Sequence, residues 1–390
     1  MARILLRRRG ERRLLRGHPW IYRADVEDTE GSLEKGELVD IYGAGRRFLG
    51  RGYANPDSQI TIRLLTRAPE PIDAAFFRQR IAAARAHRQR LAIPSTAIRI
   101  VYAEADALPG LIVDAYGDIL VLQILTAGME RLRGVWLPVI QEDFHPRGIF
   151  LRNDVPSRLL EGLPLQKAFL DDPFDPVMII EEEGVRFRVD ITTGQKTGLF
   201  LDQRNNRLAV RPFAADREVL DCFCYTGGFA LHAARAGARR VEGIDSSEEA
   251  VTAANGNTGL NALTERCSFR VGNVFDELRK LDDGGRHFDL IILDPPAFTK
   301  SKEAVAAALR GYKEINLRAM KLLTPGGILV TSSCSYHVNE ATFLEMLEDA
   351  AADAKVRCRV LGVRTQSADH PILLGVKETK YLKCVFLERL

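Results

Sequence analysis

Glu218-Val-Leu-Asp-Cys-Phe-Cys-Tyr-Thr-Gly-Gly-Phe229 decides the fold. A short apolar strand ends in an acid, a glycine-bearing turn follows, and a helical pattern runs on from Gly228 to Ala236. In that arrangement backbone amides approach a ligand closely. Strands are predicted around it at Val177–Glu182, Val185–Ile191, Arg240–Ile244, Cys267–Val271, Leu290–Leu293 and Gly327–Ser332. Helical patterns fall at Ser247–Leu260 and Ala304–Leu323. The alternation predicts a doubly wound, Rossmann-like α/β domain over residues 177–390, with ligands at the carboxyl ends of its strands.

Upstream the pattern changes twice. Residues 1–71 carry short alternating runs such as Glu37–Tyr42, Arg47–Tyr53 and Gln59–Leu65, broken by glycines and Asn55-Pro56-Asp57. They predict a small β-barrel domain with Gly17-His18-Pro19-Trp20 near its entrance. In residues 72–176, Asp73 caps a helix to Leu91, and a hairpin turns at Gly117-Asp118 between Leu111–Tyr116 and Ile119–Leu125. A helix over Gly128–Gln141 and a strand at Gly148–Arg152 complete a small α+β module, with Asp171–Pro176 as a linker.

Charge is placed unevenly. Residues 1–100 hold 20 Lys and Arg against 11 Asp and Glu, nearly all of the bases being arginine, whereas the net charge of the whole chain is only +3. Arginine suits phosphate and base stacking. The surplus is read as a nucleic-acid surface comprising Arg7, Arg8, Arg9, Arg12 and Arg13 with His18 and Trp20. Arg85 and Arg88 extend it on a helix whose residues 74–91 contain no acid. A solvated arginine-rich surface is the competing reading. No apolar run approaches the ~18 residues of a membrane span. Six cysteines without zinc-type pairing fit reduced thiols in the cytoplasm, and no metal site is expected.

Asp221 ends one strand and Asp245 ends the next, 24 residues later, where an acid accepts hydrogen bonds from ribose. A nicotinamide dinucleotide fits the same pair. The loop lacks the early glycine that admits a pyrophosphate, so S-adenosylmethionine is the better match. Tyr225, Thr226 and Gly227 line the loop, while Asn273 and Val274 face an adenine or merely cap a helix. Asp294-Pro295-Pro296 fixes a carboxylate at a strand end, and Phe298 stands one place too late for the base-stacking aromatic of amino-group methyltransferases.

Cys334 lies in Ser332-Ser333-Cys334-Ser335 at the end of a strand, beside His337. A polar strand-end loop suits a reactive thiolate; a buried, inert cysteine is the bland alternative. The predicted chemistry is addition of the Cys334 thiolate to C6 of a pyrimidine. C5 then becomes nucleophilic enough to take a methyl group, while Asp294 bonds the pyrimidine edge. His370 and His337 are candidates for the base that removes the C5 proton, and both read equally well as structural.

At these residues the chain resembles the cytosine-5 RNA methyltransferases of the bacterial large ribosomal subunit that carry an N-terminal PUA domain. The resemblance rests on Gly17-His18-Pro19-Trp20, Gly194-Gln195-Lys196-Thr197-Gly198, Leu201-Asp202-Gln203-Arg204, Tyr225–Phe229, Asp294-Pro295-Pro296, Ser333-Cys334-Ser335 and Asp369-His370-Pro371. It implies a PUA-like domain, a connecting α+β domain and a class I methyltransferase domain. It also implies S-adenosylmethionine as donor, 23S ribosomal RNA as substrate and Cys334 as nucleophile. Further, it implies a homodimer and a segment bearing Lys196 and Thr197 over the cofactor, with Lys196 on the methionine carboxylate. Asn273 departs from the Asp that relatives often have. Rival readings are methylation of uracil C5 or of a base nitrogen, a nicotinamide dehydrogenase, and a non-catalytic ribosome-assembly factor.

Overall fold

The computed structural model describes residues 1–299 and 301–390. Contacts divide the chain into two compact units. One comprises Met1–Ile180, Val189–Leu201 and Ala368–Thr379; the other comprises Glu181–Arg188, Asp202–Ser367 and Lys380–Leu390.

The first unit opens with β1 (Ala2–Leu6), α1 (Arg8–Leu15), β2 (Trp20–Ile21), β3 (Val26–Glu30), β4 (Leu38–Tyr42), β5 (Phe48–Ala54) and β6 (Ile62–Thr66). They form a six-stranded sheet in the order β2-β6-β5-β4-β1-β3. Ala2, Ile4 and Leu6 are buried in turn along β1, the period of two that puts one strand face on a core. Leu14, Ile21, Val39 and Ile41 complete that core.

Next come α2 (Ala74–Leu91), β7 (Ala97–Tyr102), β8 (Leu111–Tyr116), β9 (Ile119–Ile124), α3 (Ala127–Arg131), α4 (Arg133–Phe144), β10 (Gly148–Asn153) and β11 (Gln166–Phe169). The strands lie in the order β11-β10-β9-β8-β7. Asp73 caps α2 by accepting from Phe76 N at 3.0 Å. Tyr116 pairs with Ile119 across the predicted turn, with Gly117 at φ +62°. The single helix expected over residues 128–141 is two helices. Leu132 leaves the helical conformation, and the indole of Trp136 donates to Met129 O at 2.9 Å beside that break. Tyr53 of β5 is packed into this second core, and its hydroxyl donates to Pro109 O.

The hairpin β12 (Val177–Glu182) and β13 (Val185–Asp190) forms a two-stranded sheet of its own rather than joining the large one. It turns at Glu183 and Gly184, both with positive φ, the conformation that a two-residue hairpin requires.

The second unit holds α5 (Arg204–Val210), β14 (Glu218–Cys222), α6 (Gly228–Arg235), β15 (Arg240–Asp245), α7 (Glu248–Leu260), β16 (Cys267–Val271), α8 (Val274–Asp283), β17 (Phe288–Leu293), α9 (Val305–Leu322), β18 (Leu323–Ser333), α10 (Glu340–Ala354), β19 (Cys358–Arg364) and β20 (Lys383–Arg389). Its sheet runs β16-β15-β14-β17-β18-β20-β19. The first five strands are mutually parallel, whereas β20 is antiparallel to both β18 and β19. Leu290, Ile291, Ile292 and Leu293 are all fully buried, the continuous apolar run of a strand covered on both faces. Tyr312, Ile315, Ala319 and Leu322 of α9 recur at helical spacing and pack with Phe343 and Leu347 of α10. β18 begins at Leu323, before the expected Gly327, because Leu323 already pairs with Phe288 across a register shift. Among the described residues no helix is long and apolar enough to cross a membrane.

Candidate active site

Four neighbouring parallel strands bring the chemistry to one edge of the seven-stranded sheet. Asp245 ends β15, Asp221 is the penultimate residue of β14, Asp294 follows β17 and Cys334 follows β18. Strand alternation and parallel register put all four at carboxyl ends, where the first turns of the helices also point.

Asp221 is fully buried. Its Oδ2 accepts from Ala230 N in the first turn of α6 at 2.9 Å, and Oδ1 has no hydrogen-bond partner among the described residues. Burial pushes its carboxyl well above the usual range against the pull of the Ala230 amide, and the Asp294 and Asp245 carboxylates add to the shift. The edge therefore favours a ligand that is cationic or rich in hydrogen-bond donors.

The loop between β14 and α6 is strained and tightly held. Phe223, Tyr225 and Gly227 have φ of +63°, +48° and +84°. Left-handed Phe and Tyr are uncommon and persist where the surroundings enforce them. Tyr225 N donates to Asp245 Oδ2 at 2.9 Å, and Asp245 Oδ1 accepts from Ser247 N at 3.0 Å. Asn257 Nδ2 donates to Thr226 O. A Cβ on Gly227 would meet the Phe269 ring at 3.0 Å, a tight approach that adds to the strain its positive φ would place on a side chain.

A buried ionic cluster supports the same loop. Arg207 grips Glu182 with two bonds of 2.8 and 2.7 Å, His232 Nε2 lies 3.0 Å from Glu182 Oε1, and the Arg207 stem passes 3.0 Å from the place of a Cβ on Gly228. Burial works against the carboxylate, yet Arg207 and His232 hold its pKa far below the usual range.

Asn273 is exposed and caps α8 by accepting from Phe275 N at 3.0 Å. The Val274 side chain is buried with Leu278 and Leu281, so only its backbone is left for the expected adenine contact. Asp294 Oδ1 accepts from Gln203 Nε2 at 2.7 Å, and Gln203 Oε1 accepts from Asn206 Nδ2 at 2.6 Å. Phe298 packs on Tyr312 at 4.5 Å between ring centroids, with Phe275 and Phe223 nearby. It is partly buried and packed against the core.

Cys334 is half-buried, and the serines on either side of it are fully buried. The Tyr312 hydroxyl shares hydrogen bonds with Ser335 Oγ at 2.9 Å and Ser333 Oγ at 3.1 Å. Lys383, 4% exposed, donates to Ser335 O at 2.8 Å and to Tyr381 O at 3.0 Å. Burial pushes this amine down to about 8, while Cys334 draws it the other way. The other five thiols are all pushed up by burial, those of Cys267 and Cys384 to about 12.

Other expected site residues lie in the first unit. The Thr197 hydroxyl donates to Asp114 at 2.6 Å and is buried, and Lys196 sits 4.7 Å from the centre of the Phe200 ring. His370 is buried, 3.0 Å from Asp369 and against the Tyr102 ring, so it serves that unit's interior. Arg7, Arg8, Arg9 and Arg12 are exposed, and Arg13 pairs with Asp25 and covers the Tyr22 ring. A cavity of about 630 Å³ is lined by Arg9, Arg12, Arg13, Arg16, His18 and Gly375. His18 also reaches Glu378 at 3.3 Å, and the Trp20 indole donates to Glu104 at 2.8 Å.

The basic face expected on α2 is partly paired. Arg78 pairs with Glu142 and Asp143, whereas Arg85 stays exposed, donating to Asp143 O while lying over Phe144. Arg88 is corrected outright. It is 2% exposed, pairs with Asp106 through two bonds and donates to Arg99 O and Asp369 O, so it is a core arginine rather than an RNA contact. Gln203, Tyr312 and Lys383 are the side chains at the edge whose roles the sequence reading missed. Gln203 stood within a quoted motif, and Tyr312 within a helical pattern that shows only its spacing.

The pattern of the S-adenosylmethionine-dependent methyltransferase family matches residues 167–364, and that of a PUA-like domain matches residues 4–67. The protein called ribosomal RNA large subunit methyltransferase I in Tolumonas auensis is 42% identical over 386 residues, 97% of each chain. Its namesake in Shewanella amazonensis is 42% identical over 98% of each. A SAM-dependent methyltransferase assignment from Streptococcus mutans has a structure alike along both whole chains, with TM-score 0.84 and 21% identity. SMU.776, described as a methyltransferase and complexed with SAH, gives TM-score 0.86 at 21% identity over the full length of both chains. These two likenesses bear on the fold alone. The chain belongs to the S-adenosylmethionine-dependent methyltransferase family, in the group whose members are named ribosomal RNA large subunit methyltransferase I.

Proposed function

We propose that this enzyme methylates C5 of a cytosine in 23S ribosomal RNA through a transient bond between Cys334 and C6. The carrying observation is where Cys334 stands: half-buried, directly after β18 and one strand from Asp294, at the carboxyl ends of the parallel strands. Cys222, Cys224, Cys267 and Cys384 are buried, and burial pushes their thiols up. Carbon is a weak nucleophile, and thiolate addition at C6 is a direct way to activate C5.

The edge fits the donor. Asp221 has an unpartnered buried oxygen beside two further carboxylates, which suits a molecule bearing an ammonium, a sulfonium and ribose hydroxyls. In this reading Asp221, Tyr225, Thr226, Gly227 and Asp245 hold it, with Asn273 at the adenine. Lys196 and Thr197 keep the roles that the resemblance implies. When bound, S-adenosylmethionine supplies the electrophilic methyl group.

The residues of this chain do the rest. The Cys334 sulfur donates its electron pair to C6, and Asp294, aimed by Gln203, bonds the pyrimidine edge and shares the N3 proton as charge develops. The C5 proton then passes to water, the C5–H pair re-forms the C5–C6 double bond, and the C6–S bond breaks with its pair returning to sulfur. Residues 1–71 act as the RNA-binding domain, residues 72–176 connect it and residues 177–390 carry the catalysis. RNA phosphate meets the exposed arginines of α1 and the cavity beside His18.

RNA bearing 5-fluorocytosine at the target tests the adduct, because fluorine cannot leave as a proton does. The wild type, given cofactor, is expected to yield an RNA-linked band on a denaturing gel that Cys334→Ala does not. A band of equal strength in the variant, or none in an active wild type, removes the covalent mechanism.

A further inference from the structure

Lys383 is a buried lysine with no place in the mechanism above. It stands on β20 directly opposite Ser333, the residue before Cys334, in the antiparallel ladder. Its amine reaches the carbonyl of Ser335, the residue after Cys334, at 2.8 Å. The side chain therefore brackets the Cys334 turn from both neighbours, and the second bond, to Tyr381 O, leaves it little freedom. Lysine is seldom so buried without a partner of opposite charge.

We propose that Lys383 is a positioning residue for Cys334, its ammonium serving as the counter-cation that keeps the sulfur ionised at neutral pH. The thiol proton leaves to water, the sulfur remains as thiolate beside the ammonium, and its electron pair is then available to form the bond to C6. When that bond breaks, the same ammonium stabilises the departing thiolate.

The surroundings agree with this assignment. Around Lys383 stand Cys334, Glu340 on α10, and Lys380 and Tyr381 just before β20, while the Tyr312 hydroxyl on α9 braces both serines that flank Cys334. Glu340 is already paired with Lys380 at 2.8 Å. The charge on Lys383 is thus left to Cys334, which favours the lysine's charged form against its burial. Both the ammonium and the thiolate gain from the pairing, as happens for reactive cysteines elsewhere.

The inference rests on Cys334 being the nucleophile, so its test must not depend on turnover. Alkylation of Cys334 by iodoacetamide across pH 5.5–9.5, followed on its own peptide by mass spectrometry, reports the thiolate directly. The wild-type midpoint is expected below the free-thiol value of ~8.5. Lys383→Met is expected to raise it by about one unit or more, roughly tenfold less thiolate at pH 7. Lys383→Arg, which keeps a charge, is expected to stay near wild type. A wild-type midpoint at or above ~8.5 overturns the proposal without any variant. So does an unchanged midpoint in a Lys383→Met protein that melts as a folded chain. Full activity of Cys334→Ala would instead overturn the reading beneath it, whatever the alkylation shows.

Discussion

Gln203 Nε2 donates to Asp294 Oδ1 at 2.7 Å, and Asn206 fixes the far side of the same amide at 2.6 Å. One helical turn thereby aims the carboxylate that the Asp-Pro-Pro turn holds at the strand end. Gln203→Leu is expected to leave the fold intact and lower kcat about 10- to 100-fold, with a smaller change in the cofactor KM. Steady-state kinetics on RNA decides it; unchanged kcat would mean that Asp294 needs no aiming.

The Glu182 cluster predicts a stability effect with a definite sign. Replacing Glu182 by Gln leaves Arg204, Arg207 and His232 buried around a neutral group, at a cost of about 3–5 kcal/mol by urea unfolding. The folded Glu182 carboxyl lies below its unfolded value of ~4.5, so its contribution is full above that pH and is lost as pH falls toward the folded pKa. Burial also depresses His232 below ~6.5, so its contribution too fades as the solution is acidified. The stability gap between variant and wild type should therefore narrow only as pH falls below ~4.5, where the wild type begins to lose what Glu182 contributes.

Arg12 and Arg88, both read from sequence as RNA contacts, are expected to part company. Arg12 is exposed and lines the cavity beside His18, so Arg12→Ala should weaken RNA binding and lower the log–log salt slope by about one. Arg88→Ala removes a buried partner of Asp106 and should cost on the order of 3 kcal/mol of stability, with the salt slope unchanged where the protein is folded. Fluorescence anisotropy against KCl, with urea titrations, separates the two.

Gly227 opens α6 at φ +84° with the Phe269 ring 3.0 Å from the place of a Cβ. Gly227→Ala adds about 1–2 kcal/mol of backbone strain and displaces the loop. Calorimetry with S-adenosylhomocysteine should show affinity reduced tenfold or more, while the melting temperature moves only slightly.

Local patterns made much of the second unit legible. The strand–glycine–helix run, the acids at strand ends and the Asp-Pro-Pro turn are short-range signals, and the residues around Cys334 were visible as a polar tail on an apolar strand. What stayed hidden depends on partners distant in the chain. Arg88 looked like surface charge because Asp106 and β7, which bury it, lie on the far side of a turn. Lys383 was invisible because β20 enters antiparallel between β18 and β19, and nothing in Lys383-Cys-Val-Phe-Leu387 marks which strand it will join. Val274 was legible as a strand-to-helix position but not as a core side chain, because Leu278 and Leu281 reach it only once α8 is packed.

The most direct test of the central claim is methyl transfer from labelled S-adenosylmethionine to unmodified 23S RNA. Wild type and Cys334→Ala are compared after digestion to nucleosides. The account predicts label in 5-methylcytidine with the wild type and none with the variant. Label in another nucleoside, or a fully active Cys334→Ala, would contradict it.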